Sequence, residues 1–275
     1  DYIGNNFSSL LINQESVSGS NLSDPRRRYY IYRQETNFGA ADGQTFPCTL
    51  ESKPSHYSSN DPFCTVGDGY WGRDHADQNG IPPDQAFRAL FGVYPVGGPF
   101  DNGSGDTANN REVGLKGAGS SMLMLSSYVQ FMLAEAALTT SLGGDAKNHL
   151  EQGIRQSISK VLTFGDQLTP RTTVLVEDDP ATITENEEVT FAMEYNLEQS
   201  DIDNYVDAIL EKYDAAADKM DIVAEQYYLA LWHNGVEAYN LYRRTGKPDL
   251  QPTLLANPGI YIRTFPYPDA LVNRN

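Results

Sequence analysis

The clearest pattern in the chain is a helical spacing of apolar residues that begins near Ser120. This stripe predicts a helix that ends at the glycine pair before Asp145, and its members are Met122, Leu125, Val129, Met132 and Ala136. Asp145 suits the N-cap of a following helix, whose single apolar face consists of Leu150, Ile154, Ile158 and Val161. Two helices joined by so short a turn predict an αα-hairpin of tetratricopeptide-like size.

A second helix pair is predicted after an irregular segment at 164–200, in which 172–176 could form a strand. Its first helix should cover about 201–216 and its second 221–244. The second helix carries apolar residues over a wide arc, which predicts burial on most sides. Gly246 suits a left-handed C-cap that ends this helix.

The last predicted helix carries five polar groups that we assign to one network, and all of them except Arg243 lie on its polar stripe together with Gln226. They are His233, Glu237, Asn240, Arg243 and Arg244. The two arginines would lie at the helix C-terminus, where cations favour the helix dipole. Neighbours three or four positions apart can contact one another, so we expect a partly buried polar network. Its role should be structural rather than catalytic, because removing one partner would leave a desolvated charge.

The N-terminal and C-terminal parts of the chain differ in composition and in hydrophobic pattern. Residues 1–119 are rich in Gly, Asn, Asp, Ser and Pro and show no sustained helical period, which predicts long loops and short elements packed onto something else. We therefore predict a mainly α fold of tetratricopeptide-like helix pairs at 120–275, with an extended C-terminal tail. Residues 1–119 should form a loop-rich overlay that faces the ligand, and the two regions should make up one domain.

Composition and charge exclude some classes of function. The 275 residues carry a formal net charge of -17. An anionic surface repels the phosphate backbone, so we expect no binding to nucleic acid. The most apolar stretch, 122–138, is interrupted by polar residues and is too short for a membrane span. The chain begins at Asp1 without a basic, apolar leader, so we expect it to be a mature or truncated piece.

Catalysis has little support in the sequence. The four histidines are scattered, and no nucleophile elbow, phosphate-binding loop or HExxH motif is present. An acidic chain contains many pairs of carboxylates, so a glycosidase dyad is an alternative that the sequence alone does not exclude. We nevertheless expect a protein that is not an enzyme.

The loop at 67–80, "GDGYWGRDHADQNG", is the best ligand candidate. Its aromatic side chains could stack on a sugar ring or a peptide side chain while its polar groups fix the orientation. These residues are Tyr70 and Trp71, together with Arg73, Asp74 and His75. The alternative is that both aromatic residues anchor the loop onto the helices and that Arg73 pairs with a neighbouring aspartate.

Oxygen-bearing side chains in the same loop offer a second kind of chemistry. Asp68, Asp74, Asp77 and Asn79 could bind calcium, although their spacing is not that of an EF-hand. No other cofactor is expected.

Several long segments resemble one known family. "LWHNGVEAYNLYRRTGKPDLQP" and "IRTFPYPDALVNRN" resemble the C-terminal signature of SusD/RagB-like outer-membrane lipoproteins, and so do "SYVQFMLAEAAL" and "GGDAKNHLEQGI". "CTVGDGYWGRDHADQNGIPPD" and "GVYPVGGPFD" are similar to the SusD-like 2 branch. The resemblance runs from about Pro47 to the C-terminus, and the chain looks like roughly the C-terminal half of such a protein.

The resemblance carries expectations about function. Members of the family have a tetratricopeptide-like fold and lie on the cell surface as a lid over a SusC-type TonB-dependent barrel. They capture nutrients, often oligosaccharides and sometimes peptides, for import. Attachment to the outer membrane would occur only through a lipid anchor on an N-terminal cysteine that this chain does not contain. The alternative is a helical-repeat scaffold for outer-membrane protein assembly that binds no small ligand.

Two covalent features depend on that inferred location. Cys48 and Cys64 lie in a polar segment, and a disulfide between them would stabilise the fold by about 3 kcal/mol in the chain-entropy model. We predict this bond, with a pair of free thiols as the alternative. Asp106, Thr107 and Ala108 resemble a short O-glycosylation acceptor at Thr107, and the alternative is an ordinary solvated turn.

Overall fold

The computed structural model describes residues 3–12, 14–15, 17, 19, 21–34, 52–67, 69–77, 88–103, 119–141, 143–166 and 197–257. Seven helices occur in these ranges: α1 (Asn5–Ile12), α2 (Arg27–Tyr30), α3 (Ser126–Thr139), α4 (Ala146–Asp166), α5 (Gln199–Ala215), α6 (Lys219–Ala230) and α7 (Gly235–Thr245). Strands β1 (Gln14–Glu15) and β2 (Asn21–Leu22) pair antiparallel, as do β3 (Ile31–Tyr32) and β4 (Leu90–Phe91). The predicted mainly α fold is confirmed, and the strand suggested at 172–176 lies outside the described residues.

The α3–α4 hairpin follows from the apolar face of α4. Asp145 caps α4, since its Oδ1 accepts a hydrogen bond from the backbone N–H of Asn148 at 3.0 Å. The four predicted apolar residues of α4 are all at most 1 % exposed. Leu150, Ile154 and Ile158 pack with apolar residues of α3, α5 and α6 in one helical core, whereas Val161 belongs to a second core.

The prediction for α3 is wrong in its start and in its face. The helix begins at Ser126 rather than Ser120, because Leu125 is extended with φ -117° and ψ 155°. Val129 is 44 % exposed, whereas Tyr128 and Phe131 are fully buried. Phe131 stacks on Tyr227 of α6 with ring centroids 5.2 Å apart. Burying these large rings turns the helix away from the aliphatic stripe that the periodicity favoured.

The predicted last helix is two helices. The chain turns at 231–234, where His233 has a φ of 65°, and a new helix starts at Asn234, whose side chain accepts from the N–H of Glu237 at 3.2 Å. Burial on most sides is therefore wrong for α7: Val236 is 76 % exposed and only Leu241 is buried. The C-cap prediction is confirmed, because Gly246 has φ 70° and donates its N–H to the carbonyl of Tyr242.

The loop-rich region shares a second core with the helices. This core joins α1 and residues near 29–31 and 89–100 to the ends of α4 and α6. Trp232 lies at its centre, stacked on Phe7 at 4.4 Å and on Tyr30 at 5.4 Å, and its Nε1 donates to the carbonyl of Tyr94 at 3.1 Å. A shared core of stacked rings therefore packs the described parts of the loop-rich region against the helices.

A buried ion pair fixes the same junction. Asp24 and Arg26 are both fully buried and pair through Nη2 and Oδ2 at 2.6 Å and through Nε and Oδ1 at 2.9 Å. Arg26 also donates to Ser157 of α4 at 2.7 Å, and Tyr205 of α5 donates to Asp24 at 2.9 Å. The charges are thus satisfied only when the segment before α2 lies against both helices.

Within the described ranges, no helix combines the length and the apolar composition that a bilayer crossing requires.

Candidate functional site

The aromatic pair of the predicted ligand loop is buried. Tyr70 is 1 % exposed and Trp71 is 3 % exposed. The guanidinium of Arg33 lies over the Tyr70 ring, 4.9 Å from its centroid, and Trp71 packs against Cys64 and Phe63. Neither ring presents a face for a sugar or a peptide to stack on. The geometry is that of the alternative, in which both rings anchor the loop.

The backbone of the loop is held against the start of α1. The N–H of Arg73 donates to the carbonyl of Ile3 at 2.8 Å, and the N–H of Asn5 donates to the carbonyl of Arg73 at 2.8 Å. Gly72 donates to the side-chain oxygen of Asn5 at 2.9 Å. A Cβ at Gly72 would lie 1.9 Å from the carbonyl oxygen of Ile3, so only glycine permits this close approach.

Asp74 is a second anchor of the loop. It is 7 % exposed, and its Oδ2 accepts from the N–H of Cys64 at 2.9 Å while its Oδ1 accepts from Gln251 at 3.2 Å. Both carboxylate oxygens are thereby used by donors of the protein. In the described ranges no group of three acidic, histidine or cysteine residues is arranged for a metal ion. Of the other calcium candidates, Asp68 and Asn79 lie outside the described residues.

A strap that the sequence did not predict holds the loop region from the other side. The strap consists of residues 246–257, which follow α7. Gln251 is 5 % exposed and donates to the carbonyl of Pro62 at 2.8 Å as well as to Asp74. The N–H of Leu254 donates to the carbonyl of His75 at 2.8 Å. The sequence shows an extended tail here, but nothing in it indicates which loop the tail contacts.

Two histidines border the strap. Nε2 of His56 lies 2.9 Å from the carbonyl oxygen of Thr253, and Nδ1 of His75 lies 3.3 Å from that of Gln251. A carbonyl can only accept, so each of these ring nitrogens carries a proton in this arrangement. Both imidazoles are therefore oriented by backbone that belongs to the strap.

The accessible edge of the loop region, here called the rim, consists of His56, Asp61, Phe63, His75 and Asp77. His56 is exposed and the other four are half-buried. Phe63 contacts Tyr57 edge-on at 6.3 Å, and Tyr57 contacts His56 edge-on at 5.0 Å. The rim combines a ring edge, two imidazoles and two carboxylates on a fixed backbone, which suits contacts with a polar ligand.

The predicted polar network has a different centre. Arg244 binds Glu135 of α3 through two hydrogen bonds of 2.6 and 2.9 Å, and its Nη2 lies 3.7 Å from Glu237. Asn240 donates to Glu237 at 3.3 Å. The sequence missed Glu135, because a partner 109 positions away leaves no local spacing signal.

The other two members lie apart from these groups. His233 packs between Phe91 at 4.6 Å and Trp232 at 4.9 Å, and burial lowers the pKa of its imidazole. The guanidinium of Arg243 lies over Tyr239, 5.7 Å from the ring centroid. Each therefore contacts aromatic rings rather than the carboxylate of Glu237.

Only one of the residues named in the two covalent predictions lies among the described residues. Cys64 is disulfide-bonded, but Cys48 lies outside the described residues and its pairing stays a prediction. Thr107 also lies outside the described residues.

Helix hairpins that carry a layer of loops, with a polar rim on that layer, define a mainly α fold. A family model described as Susd and RagB outer membrane lipoprotein matches residues 99–270. This match covers more than half of the chain, and the chain belongs to the SusD-like family. Comparisons with curated proteins and with solved structures gave no match. The family consists of outer-membrane lipoproteins that bind their ligands rather than transform them.

Proposed function

We propose that this protein captures an oligosaccharide or a peptide at the cell surface and delivers it to a SusC-type TonB-dependent transporter. The observation that carries the proposal is the family match over residues 99–270, which spans the helical region and part of the loop-rich region. Members of the family generally work with such transporters and bind glycans or peptides. We also propose that the protein is attached to the outer membrane through a lipid anchor.

The rim is the surface we propose for ligand contact. Its backbone is immobilised on one side by α1 and on the other by Gln251, so its side chains need little reorganisation when a ligand arrives. Carboxylates and imidazoles can exchange hydrogen bonds with hydroxyl or amide groups, and Phe63 adds an apolar edge. A protein that passes its ligand to a transporter should bind it with modest affinity, because slow release would limit uptake.

The first test is binding to a glycan array and a peptide panel, followed by measurement with rim variants. The rim variant replaces His56 and Asp77 with alanine, and the matched control replaces His149 and Asp214, which lie on the helices. We expect the rim variant to weaken binding at least about tenfold, which is about 1.4 kcal/mol, and the control to bind normally. Equal affinity in both would place the ligand elsewhere.

Alanine at Tyr70 or Trp71 would be a poor test of contact. Both side chains are buried, so their removal would create cavities and loosen the loop whether or not a ligand touches them.

The second test addresses the transporter. Isolation from the native host should recover a large TonB-dependent barrel together with this protein, and mass spectrometry of the complex should identify the bound nutrient. A preparation that repeatedly lacks such a barrel would contradict delivery. We also expect the recovered ligand to be unchanged after incubation with the purified protein, since a binding protein does not turn it over.

A scaffold without a small ligand is the second candidate function. Exposed apolar side chains just before α3 and on α7 favour a protein contact, since Leu123 is 83 % exposed and Val236 is 76 % exposed. A stable barrel complex that binds no glycan or peptide on either panel would support this candidate instead.

A further inference from the structure

An open groove of about 1130 Å³, which shares no residue with the rim, lies between α3, the start of α6 and the end of α7. Met132, Ala136 and Leu138 of α3 line it, and so does Met220 of α6. Arg244 and Lys247 close it at the end of α7. The groove exists because α7 folds back beside α6, so that Lys247 reaches the carboxylate of Asp218 at 2.7 Å.

The walls suit an aliphatic side chain. Methionine fills irregular gaps and adapts to different partners because its side chain is unbranched and polarisable. Leu138 is 36 % exposed, so its apolar surface is available within the groove. None of the described residues that line the groove is aromatic, which removes the stacking platform that a sugar ring would use.

The groove also contains a hydrogen-bond donor next to a hydrogen-bond acceptor. Glu135 is 12 % exposed in its side chain and holds Nε and Nη2 of Arg244, which fixes the plane of the guanidinium. Nη1 of Arg244 has no acceptor among the described residues, and 41 % of the side chain is exposed. Glu237 lies 3.7 Å from Nη2 and can accept further hydrogen bonds.

We propose that this groove binds an extended peptide segment that carries an aliphatic side chain. A peptide supplies a carbonyl for Nη1 of Arg244, an amide N–H for Glu237, and an apolar side chain for the part of the groove that Met132, Leu138 and Met220 line. The charged side chains of the lining balance in sign, so a peptide without net charge fits better than a strongly charged one. This inference does not rest on nutrient capture at the rim.

The methionine methyl groups provide a direct readout. The chain has five methionines, which are Met122, Met124, Met132, Met193 and Met220. The protein labelled with ¹³C in these methyl groups would be titrated with a blocked pentapeptide that has leucine between two glycine pairs. We expect the resonances of Met132 and Met220 to shift together, and those of Met122 and Met124 to stay in place. A serine-centred pentapeptide should produce markedly weaker shifts.

Two matched variants on one helix test the location. Leu138→Glu places a carboxylate in the wall of the groove and should weaken peptide binding at least about tenfold, since the charge would lose hydration when the peptide covers it. Leu133→Glu lies on α3 outside the groove, is 42 % exposed, and should bind like the wild type. Circular dichroism melts would show that both variants are folded.

Three outcomes would overturn the proposal. One is the absence of shifts at Met132 and Met220 at millimolar peptide. Another is equal loss of binding in Leu133→Glu and Leu138→Glu. The third is a shift of these two methyl groups by maltoheptaose but not by the leucine peptide, which would make the occupant a glycan. A failed peptide titration with intact binding at the rim would leave the proposed function standing.

Discussion

Replacing Arg26 with methionine would test whether the buried ion pair holds the loop-rich region on the helices. Methionine fills much of the same space but removes the charge. Asp24 would keep the backbone N–H of residue 26 at 2.8 Å and the hydroxyl of Tyr205 at 2.9 Å, and would lose the two bonds from the guanidinium. Ser157 would lose its partner as well.

The expected loss of stability is large because Asp24 is fully buried, so water cannot replace the hydrogen bonds that it loses. Breaking a fully buried pair by removing one partner costs about 3–5 kcal/mol. Domains are stabilised by about 5–15 kcal/mol in total, so the variant should lose a large share of its stability. Burial by itself lowers the pKa of Arg26, but the adjacent carboxylate of Asp24 raises it above its ordinary value, so Arg26 stays a cation in the wild type.

Urea unfolding of four proteins would separate the interaction energy between Asp24 and Arg26 from the contribution of each side chain alone. These are the wild type, Arg26→Met, Asp24→Asn and the double variant. If the two charges matter mainly to each other, the double variant should be more stable than the sum of the single losses by about 1–3 kcal/mol. The control is Arg155→Met, because Arg155 binds Glu151 and Asp203 but is 30 % exposed. Its cost should stay below about 1 kcal/mol.

Tryptophan fluorescence would locate the effect. Trp71 reports the loop region and Trp232 reports the junction with the helices, so each can be followed in a variant that lacks the other. Both transitions should move to lower urea together in Arg26→Met. The reasoning would be refuted by a loss of less than about 1 kcal/mol, or by additive single losses.

Three further outcomes are expected. Gln251→Leu should lower the stability by about 1–3 kcal/mol, since it leaves buried acceptors unpaired. It should also speed amide exchange in the loop next to the strap. Unchanged exchange would show that the strap does not hold that loop. Lys247 lowers the pKa of Asp218, so this pair stabilises the fold above the ordinary carboxyl pKa and loses its effect as pH falls through the lowered value. Lys247→Met should therefore melt below the wild type at pH about 7 and match it at pH about 2, whereas a constant difference would exclude this linkage. Cys48 and Cys64 should resist alkylation in native protein until reductant is added, and two free thiols would count against both the bond and an oxidising location.

Local signals in the sequence predict some helices well. The apolar spacing of α4 and the N-cap at Asp145 are both found in the structure, because a long helix that packs on one face leaves a regular pattern. The same reasoning failed for α3. Its buried face is defined by Tyr128 and Phe131, whose large rings dominate the packing over the smaller aliphatic residues beside them.

Contacts between distant segments could not be predicted. Glu135 and Arg244 are 109 positions apart, and Gln251 meets Asp74 across 177. No spacing rule joins such pairs, because only the fold brings them together. The burial of Tyr70 and Trp71 could not be predicted for the same reason: the sequence shows that two rings are adjacent, but their exposure depends on what packs over them.

The break between α6 and α7 had a signal in the sequence, and it shapes the surface between the two helices. Asn234 followed by a glycine is a strong N-cap and turn pair, although it lies within an unbroken helical period. A continuous helix over 221–244 would be about 36 Å long and would carry Arg244 far from Asp221. The turn instead brings Lys247 back to Asp221 and Arg244 to Glu135. The same turn therefore places Trp232 in the core that the loop-rich region shares with the helices, and it lets α7 line the groove beside α3. The strap that reaches the rim begins at Gly246, where α7 ends.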